Sequence, residues 1–437
     1  MSFQQGLSGL NGASRNLDVI GNNIANASTY GSKASRAEFK DVYAGSLNGA
    51  GSSPVGIGTA LSAVAQQFTQ GNITTTESPM DLAINGGGFF QVSDGVNPVM
   101  YSRNGQFKLS KDGYVVNNDQ LKLLGYPADA SGVIQPGLAQ PMKLPTSGIA
   151  PKTTGVIVTE FNLDSRSKTT APGGTGTGID LKSPATYNNA TSLTAYDAKG
   201  QDVAVTFYFQ KSDPAADGST TWNVYATANG ANFTTDSSGA AIATDAAGNP
   251  TTPYTTITFP RNGGKATSPT APINMDVPAG VNSRGAATLD IPGIQLNLTG
   301  ATENGSSFAV TNLTQDGYAP GQLSGILIEN TGIVMARYSN GQSKPAGRIE
   351  LASFRNPQGL QPMGGNVWSR TFGSGEPVVG VPGDGNLGSL QSGALEESNV
   401  DLTAELVNMV TAQRAYQASA QTIKTQDQVL QTIVNLR

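Results

Sequence analysis

The chain has 437 residues, of which 37% are hydrophobic and 13% are charged, and its formal net charge at pH 7 is -5. It contains no cysteine and no histidine, which excludes disulfides, cysteine nucleophiles, thiolate zinc sites and every histidine-based catalytic or metal site. The weak negative charge gives no indication of a nucleic-acid partner or an anionic membrane surface. At about 150 residues per domain, the length allows about three domains.

The N-terminal residues 2–27 have the pattern of an amphipathic helix. Apolar residues alternate at spacings of four and three, with only Ser14 and Gly21 breaking the series, as in a helix that buries one side against other helices. Each interior glycine costs about 1 kcal/mol relative to alanine, so this helix needs packing partners. A frayed terminus docked on its own domain is the alternative. The predicted seam positions are Phe3, Leu7, Leu10, Leu17 and Ile24.

Neither a membrane span nor a signal peptide is visible in the sequence. No run of about 18 apolar residues occurs, so we expect no membrane insertion. Residues 1–12 have no basic residue and no continuous apolar core. We therefore expect a cytosolic protein, or one that is exported without a cleavable signal peptide.

After the helix, residues 31–76 are polar and irregular and include a Gly/Ser-rich run at 45–53, so we expect a linker or extended segment. A dense β signal follows. The dipeptides Asn104-Gly105 and Asp112-Gly113 separate short runs of aromatic and β-branched residues, which predicts an antiparallel meander. These runs are 89–92, 99–102, 107–110 and 114–117.

Residues 146–319 form a second β-rich region with low charge and many Thr, Ala and Asn residues. Alternating apolar side chains at 203–209, preceded by a turn at 197–200, predict a hairpin with residues 193–196. We expect an outer inserted β domain here, as one body or as two subdomains. The compact apolar runs 325–329, 333–336 and 348–352 then predict further strands.

The C-terminal residues 401–436 predict a helix of about 54 Å, at about 1.5 Å per residue. Asp401 is the predicted N-cap, and Glu396, Glu397 and Glu405 near the start complement the helix dipole. The polar seam members Gln413 and Asp427 are expected to set register. The apolar seam positions are Leu402, Leu406, Met409, Tyr416, Ala420, Ile423, Leu430 and Val434.

Together these segments predict a mainly β fold with α-helical termini, in which paired, coiled-coil-like N- and C-terminal helices carry nested, discontinuous β domains. Residues 1–30 and 400–437 would form the terminal helical domain, and 31–76 the linker. Residues 77–145 and 320–399 would form the first β domain, with 146–319 inserted in it.

The motifs that suggest chemistry are weak. Residues 383–388 read G-x-G-x-x-G, but no helix is predicted until Asp401, so we interpret them as a glycine-rich loop. The run 173–178 lacks the lysine of a phosphate-binding loop. We predict no catalytic residue, no cofactor, no metal site and no enzymatic activity.

Two terminal segments resemble the axial proteins of the bacterial flagellum, and most closely those of the hook type. The segment 18–31 is similar to the rod-and-hook signature of that family, and 397–416 to its C-terminal motif. Segments 81–90 and 101–107 resemble the first β domain shared by hook and distal-rod proteins. Ser32 stands where the family has an aromatic residue, so no contact is assigned to it. The motif residues are Asn22, Asn23, Ile24, Ala25 and Asn26, with Asn399, Val400, Asp401 and Leu402.

This resemblance implies a structural subunit that polymerises helically into a curved, flexible tube around an export channel and transmits torque as a universal joint. The implied partners are other copies of the chain, the rod, the hook cap, the hook-filament junction proteins and the flagellar type III export apparatus. The implied location is the extracellular hook, joined to the basal body. A distal-rod shaft protein, a β-rich surface adhesin with trimerising terminal coils and a histidine-free glycosidase are the alternatives.

Overall fold

The computed structural model describes residues 2–43, 56–129, 131–171 and 178–435. Within these ranges the chain is mostly β, with the α-helices α1 (Ser2–Ala25) and α2 (Leu402–Asn435) at its two ends. The predicted fold class, mainly β with helical termini, is confirmed. Neither described helix is both long enough and apolar enough to cross a membrane.

The chain divides into two compact units. Unit 1 comprises Met1–Thr146, Ser324–Arg337 and Ser343–Arg437, and unit 2 comprises Ser147–Leu323 and Tyr338–Gln342. Both terminal helices belong to unit 1 together with the first β region. A separate terminal helical domain therefore stays a prediction.

The first part of unit 1 contains ten strands. They are β1 (Ser35–Tyr43), β2 (Gly56–Gln66), β3 (Ile73–Thr75), β4 (Leu82–Asn85), β5 (Phe89–Ser93), β6 (Met100–Ser102), β7 (Lys108–Leu109), β8 (Val115–Val116), β9 (Lys122–Pro127) and β10 (Gln140–Pro141). Strands β5, β6 and β9 lie in the large sheet of this unit.

Unit 2 contains the next thirteen strands. They are β11 (Val156–Asp164), β12 (Asn189–Tyr196), β13 (Asp202–Lys211), β14 (Thr220–Ala228), β15 (Ala231–Asn232), β16 (Thr255–Phe259), β17 (Gly264–Lys265), β18 (Ile273–Val277), β19 (Gly280–Val281), β20 (Ala287–Thr288), β21 (Ile291–Asn297), β22 (Thr302–Asn304) and β23 (Ala309–Gln315).

The chain then returns to unit 1 for nine more strands, the first of which begins at the unit boundary. They are β24 (Leu323–Ile328), β25 (Ile333–Tyr338), β26 (Ser343–Ile349), β27 (Leu351–Ser353), β28 (Gln361–Gly364), β29 (Val367–Ser369), β30 (Val378–Gly380), β31 (Ser389–Ser392) and β32 (Ala394–Glu396). Strand β26 pairs with β9, β27 with β5 and β29 with β6, so the two parts of the unit share one sheet.

The described residues of the segment 31–76 form a hairpin and a short strand, where a linker or extended segment is expected. Strands β1 and β2 pair antiparallel, with Ala37 opposite Val64 and Phe39 opposite Leu61. Such cross-strand apolar pairs stabilise a hairpin. Strand β3 pairs with β32. The Gly/Ser-rich run 45–53 lies outside the described residues.

The predicted meander is only partly correct. Strands β7 and β8 pair across Asp112-Gly113, where Gly113 has φ of 84°, as predicted. The hairpin at Asn104-Gly105 is wrong, because β6 pairs with β5 on one side and β29 on the other and leaves no edge for β7. Instead the Gly105 carbonyl accepts a hydrogen bond from Leu82 N at 3.0 Å, and a Cβ on Gly105 would meet the Leu82 oxygen.

Unit 2 contains a six-stranded mixed sheet around β11 and a five-stranded antiparallel sheet around β13 and β14. The predicted hairpin of β12 and β13 is confirmed, and its alternating residues Val203, Val205, Phe207 and Phe209 are buried. One apolar core takes side chains from both sheets, with the Phe161 ring centroid 4.7 Å from that of Phe209. A single core favours one folded body over two subdomains.

Candidate assembly surface

Helices α1 and α2 form an antiparallel pair that depends on two glycines of α1. A Cβ on Gly6 would lie 2.9 Å from Cγ1 of Ile423, and a Cβ on Gly9 would lie 2.9 Å from Oγ of Ser419. At the other end of the pair, Asn23 Nδ2 donates to Glu405 Oε1 at 3.2 Å. The glycines therefore permit a close helix approach that larger residues would prevent.

The side of α2 that packs on α1 is rotated from the predicted seam. Ala412 is buried, and Ser419 and Ile423 contact the glycines of α1. Seam prediction relied on large apolar residues and so missed the small ones, which fit best where two helices approach closely. Of the predicted positions, Leu10, Leu17, Ile24, Met409, Ala420 and Ile423 are half-buried.

The remaining described seam residues are exposed in the single chain. Leu402, Leu406 and Leu430 are about half exposed, as are Phe3 and Leu7 on α1, and Tyr416 is 38% exposed. The polar members Gln413 and Asp427 are also exposed, and the side chain of Val434 lies outside the described residues. The neighbouring Val407, Val410 and Val429 extend this surface. We name the exposed apolar residues of α1 and α2 the helical apolar surface.

Two asparagines of the family motifs hold the base of the β1–β2 hairpin. Asn23 is buried; its Nδ2 donates to Ser35 O and its Oδ1 accepts from Ser35 N, both at 2.8 Å. Asn399 Oδ1 accepts from Ala34 N at 2.7 Å, while its Nδ2 donates to Gln67 O at 2.8 Å. These contacts tie the hairpin to the segments that adjoin both helices.

Other motif residues end or begin the helices. Asn26 Nδ2 donates to the Asn22 carbonyl at 3.0 Å and satisfies an acceptor at the C-terminus of α1. Asp401 Oδ1 accepts from Thr403 N at 2.9 Å and so caps the N-terminus of α2, which confirms the predicted N-cap. Ala25 is the last residue of α1, Leu402 is the first residue of α2, and Val400 is half-buried just before it.

A buried ion cluster joins the segment after α1, the sheet and the segment before α2. Glu396 Oε1 lies 2.5 Å from Lys33 Nζ, and Glu396 Oε2 lies 3.0 Å from Arg103 Nη1. The side chains of Lys33 and Glu396 are fully buried, and that of Arg103 is 5% exposed. We name these three residues the ion cluster. Glu396 was expected to complement the α2 dipole, but it serves this cluster instead.

The surrounding backbone satisfies much of the cluster's remaining hydrogen-bonding capacity. Lys33 Nζ also donates to Thr69 O at 2.7 Å, and Arg103 Nη2 donates to Gly86 O at 2.8 Å. Burial lowers the pKa of Lys33 and the pKa of Arg103, and the charge of Glu396 opposes both shifts. The cluster carries two cations and one anion, so the single carboxylate is essential to its charge balance.

Gly31, which precedes Ser32 in the motif, lies where a side chain would not fit. Gly31 has φ of 70°, and a Cβ there would lie 2.5 Å from Asn104 N. Its N–H donates to the Glu396 carbonyl at 2.8 Å. Gly31 and Lys33 therefore make the contacts of this segment with the rest of unit 1. Ser32 between them is buried, and its side chain makes no described hydrogen bond.

The described residues contain no group of three or more Asp and Glu side chains placed to hold a metal ion. The 383–388 segment is a turn region followed by strand β31, with no helix at its end, so its interpretation as a loop is confirmed. Most of the 173–178 run lies outside the described residues.

Four protein-family models match successive parts of the chain. The Flagella basal body rod protein model matches residues 3–33, and the Flagellar hook protein FlgE/F/G D1 domain matches residues 83–160. The Flagellar basal body protein FlaE D2 domain matches residues 162–318, and the Flagellar basal body rod FlgEFG protein C-terminal model matches residues 391–436. These models define the class: an axial protein of the flagellum.

Curated relatives extend the similarity over the whole chain. Flagellar hook protein FlgE of Salmonella typhimurium is 42% identical over 100% of both chains, and that of Escherichia coli K12 is 41% identical over the same share. Flagellar hook protein FlgE of Borreliella burgdorferi is 31% identical, covering 100% of this chain and 99% of the relative. The chain belongs to the flagellar hook protein FlgE family, which is a family of structural proteins and not of enzymes.

The solved structure of Helicobacter pylori flagellar hook protein FlgE2 covers 74% of this chain and 100% of its own, with a TM-score of 0.49 and 14% identity. At that level the likeness adds nothing to the assignment. The distal-rod, adhesin and glycosidase alternatives are not favoured by the relatives.

Proposed function

We propose that this chain is the subunit of a flagellar hook and that copies of it associate through the helical apolar surface into a helical tube. The observation that carries this proposal is the exposure of large apolar side chains along both terminal helices. Leu406 and Val407 on α2 are 53% and 59% exposed, and Phe3 on α1 is 48% exposed. Apolar rows of this kind are stabilised when neighbouring helices cover them.

The tube links the motor to the filament, and its terminal helices surround the export channel. Bending requires subunits to slide past one another, which suits the low charge and polar composition of residues 146–319. The chain reaches its place through the flagellar type III export apparatus and assembles beneath a cap protein. The rod and the hook-filament junction proteins are its neighbours at the two ends of the tube.

Electron microscopy of the purified protein, after polymerisation at high concentration and collection by sedimentation, tests this proposal. We expect tubular polymers, with curved tubes for a hook subunit. Straight polymers would support the distal-rod alternative, and small closed oligomers would contradict polymerisation altogether. Deletion of the gene should leave basal bodies that lack a hook, and the full chain should restore it.

A further inference from the structure

The turn between β29 and β30 presents a fully exposed aromatic ring. Phe372 has a relative exposure of 104%, so its side chain packs against nothing in its own chain. Fully exposed phenylalanines are costly in water, and aromatic side chains are enriched where proteins contact one another. The ring is therefore a candidate contact residue.

Hydrogen bonds within unit 1 fix the backbone of the turn that carries Phe372. Thr371 Oγ1 donates to Gly359 O at 2.6 Å, and Thr371 N donates to Ser374 Oγ at 3.0 Å. Ser374 is buried, and an ion pair between Arg370 and Glu376 closes the base of the turn. Because these contacts fix the backbone of the turn, less main-chain freedom is lost when the ring meets a partner, which lowers the entropic cost of binding.

Unit 1 also contains an open groove beside strand β30, with a volume of about 670 Å³. Val378 and Val379 of β30 lie in its wall and are 67% and 48% exposed. Among the described strands β30 pairs only with β27. The groove is also lined by Phe354, Leu387, Arg355 and Asp384.

We propose that Phe372 of one subunit inserts into the β30 groove of a neighbouring copy. This inference rests on the proposed self-association, which supplies the second copy. The groove offers apolar side chains to the ring, and it carries one charge of each sign, Arg355 and Asp384. The turn also carries one charge of each sign, Arg370 and Glu376, which pair with each other within the chain, so neither side of the contact brings an unbalanced net charge.

The topology of this contact suits a filament. A heterologous form of this contact, in which the turn of each copy enters the groove of the next, uses both sites of every interior subunit and leaves one free turn and one free groove at the two ends of the assembly. Heterologous contacts that do not close into a ring produce open helical assemblies. A symmetric dimer would occupy the turn and the groove of both subunits, so no further copy could be added through this contact.

The absence of cysteine from the natural chain allows a direct test by cross-linking. Phe372→Cys chains are mixed with Val379→Cys chains, assembled and then oxidised. We expect a disulfide-linked dimer that contains one chain of each kind, and a ladder of multimers from the double variant. Each single variant alone, and the dilute unassembled mixture, should give only monomer.

The affinity of assembly is tested with Phe372→Ser. We expect the critical concentration for polymerisation to rise about tenfold or more, as when an aromatic anchor is removed from an interface. The control is Val96→Ser, because Val96 is 90% exposed on another turn of unit 1 and should leave the critical concentration unchanged.

The outcomes separate this inference from the proposed function. Normal polymerisation of Phe372→Ser, or polymers of the mixed variants that give no heterodimer, would overturn the contact and leave the hook function intact. Failure of the unmodified chain to polymerise would overturn both.

Discussion

Glu396 links both terminal segments of the chain to the sheet of unit 1. Its carboxylate contacts two buried cations, and its main-chain carbonyl accepts from Gly31. A complete buried ion pair adds little to the free energy of unfolding. Removal of one partner is costly, because the remaining charge stays buried. The sequence signature that adjoins α1 therefore has a structural reason beyond the helix itself.

We expect Glu396→Gln to lower the free energy of unfolding by about 3–5 kcal/mol, because Lys33 and Arg103 lose their only carboxylate. Urea unfolding followed by near-UV circular dichroism measures the loss. The control is Glu38→Gln, which breaks an exposed ion pair with Arg36 and should leave stability nearly unchanged. Equal effects of the two substitutions would contradict the importance of the ion cluster.

Tyr225 makes the stability of unit 2 sensitive to alkali. Burial raises the pKa of Tyr225 from 10.0 to about 12. The unfolded chain therefore loses this proton first, so the stabilisation is complete below about pH 10 and is lost as the pH rises toward 12.

We expect Tyr225→Phe to cost about 1 kcal/mol near neutral pH, since the hydroxyl donates to Gln210 Oε1. This difference in the free energy of unfolding should shrink at about pH 11, because only the natural chain loses stability there by keeping the hydroxyl protonated in the folded state. Urea midpoints at about pH 8 and about pH 11 give the comparison. A cost that is the same at both pH values would show that Tyr225 does not contribute to the alkaline loss.

At the scale of elements, three glycines of α1, Gly6, Gly9 and Gly21, divide into two kinds. Gly6 and Gly9 lie against α2, whereas a Cβ on Gly21 would meet nothing within 4 Å. The first two permit the helix pair, and the third only weakens helix propensity. One sequence feature, glycine within a predicted helix, thus has two physical meanings that spacing alone does not separate.

We expect Gly6→Leu to separate the helices and lower the thermal stability of the polymer, because the new side chain collides with Ile423. Gly21→Ala is the matched control and should raise helix stability by about 1 kcal/mol. Polymer melting followed by far-UV circular dichroism distinguishes them. A stabilising Gly6→Leu would show that the predicted close approach is absent from the polymer.

The helical apolar surface predicts a different phenotype. Leu406→Asp places a charge on a half-exposed position, so the fold of the β units should persist while polymerisation is lost, since a charge buried between subunits is costly. Ile423→Asp should also disrupt the α1–α2 pair within the chain. Sedimentation and circular dichroism measure assembly and folding separately.

Thr411→Asp serves as the control, because it adds the same charge to the same helix at an exposed polar position. Normal polymerisation of Leu406→Asp would remove that residue from the assembly surface. Loss of assembly in both variants would show that an added charge anywhere on α2 blocks polymerisation, and not the loss of Leu406 in particular.

At the scale of the whole molecule, local patterns predicted the elements that depend on local signals. Both helices, the N-cap at Asp401 and the β12–β13 hairpin follow from periodicity and turn residues close in sequence. The β1–β2 hairpin was missed because its stability comes from cross-strand pairs between segments that the Gly/Ser-rich run 45–53 separates in the sequence. The Asn104-Gly105 turn failed because strand β29, more than 260 residues later, occupies the edge that a hairpin would need.

The candidate site was harder to predict for the same reason. Apolar spacing indicated the exposed seam, but the ion cluster joins Lys33, Arg103 and Glu396, which no local pattern connects. The small residues Ala412 and Ser419 carry no hydrophobic signal although they mark the helix contact.

The central claim is that the terminal helices gain their order from neighbouring subunits. Interior glycines weaken α1, and half-exposed leucines and valines line α2, so the contacts between the two helices of one chain leave much of both helices to be stabilised by neighbouring subunits. Hydrogen exchange of residues 2–25 and 402–435, compared between dilute monomer and sedimented polymer, tests this claim most directly. We predict rapid exchange of both segments in the monomer and strong protection in the polymer, whereas equal protection in the dilute monomer would contradict it.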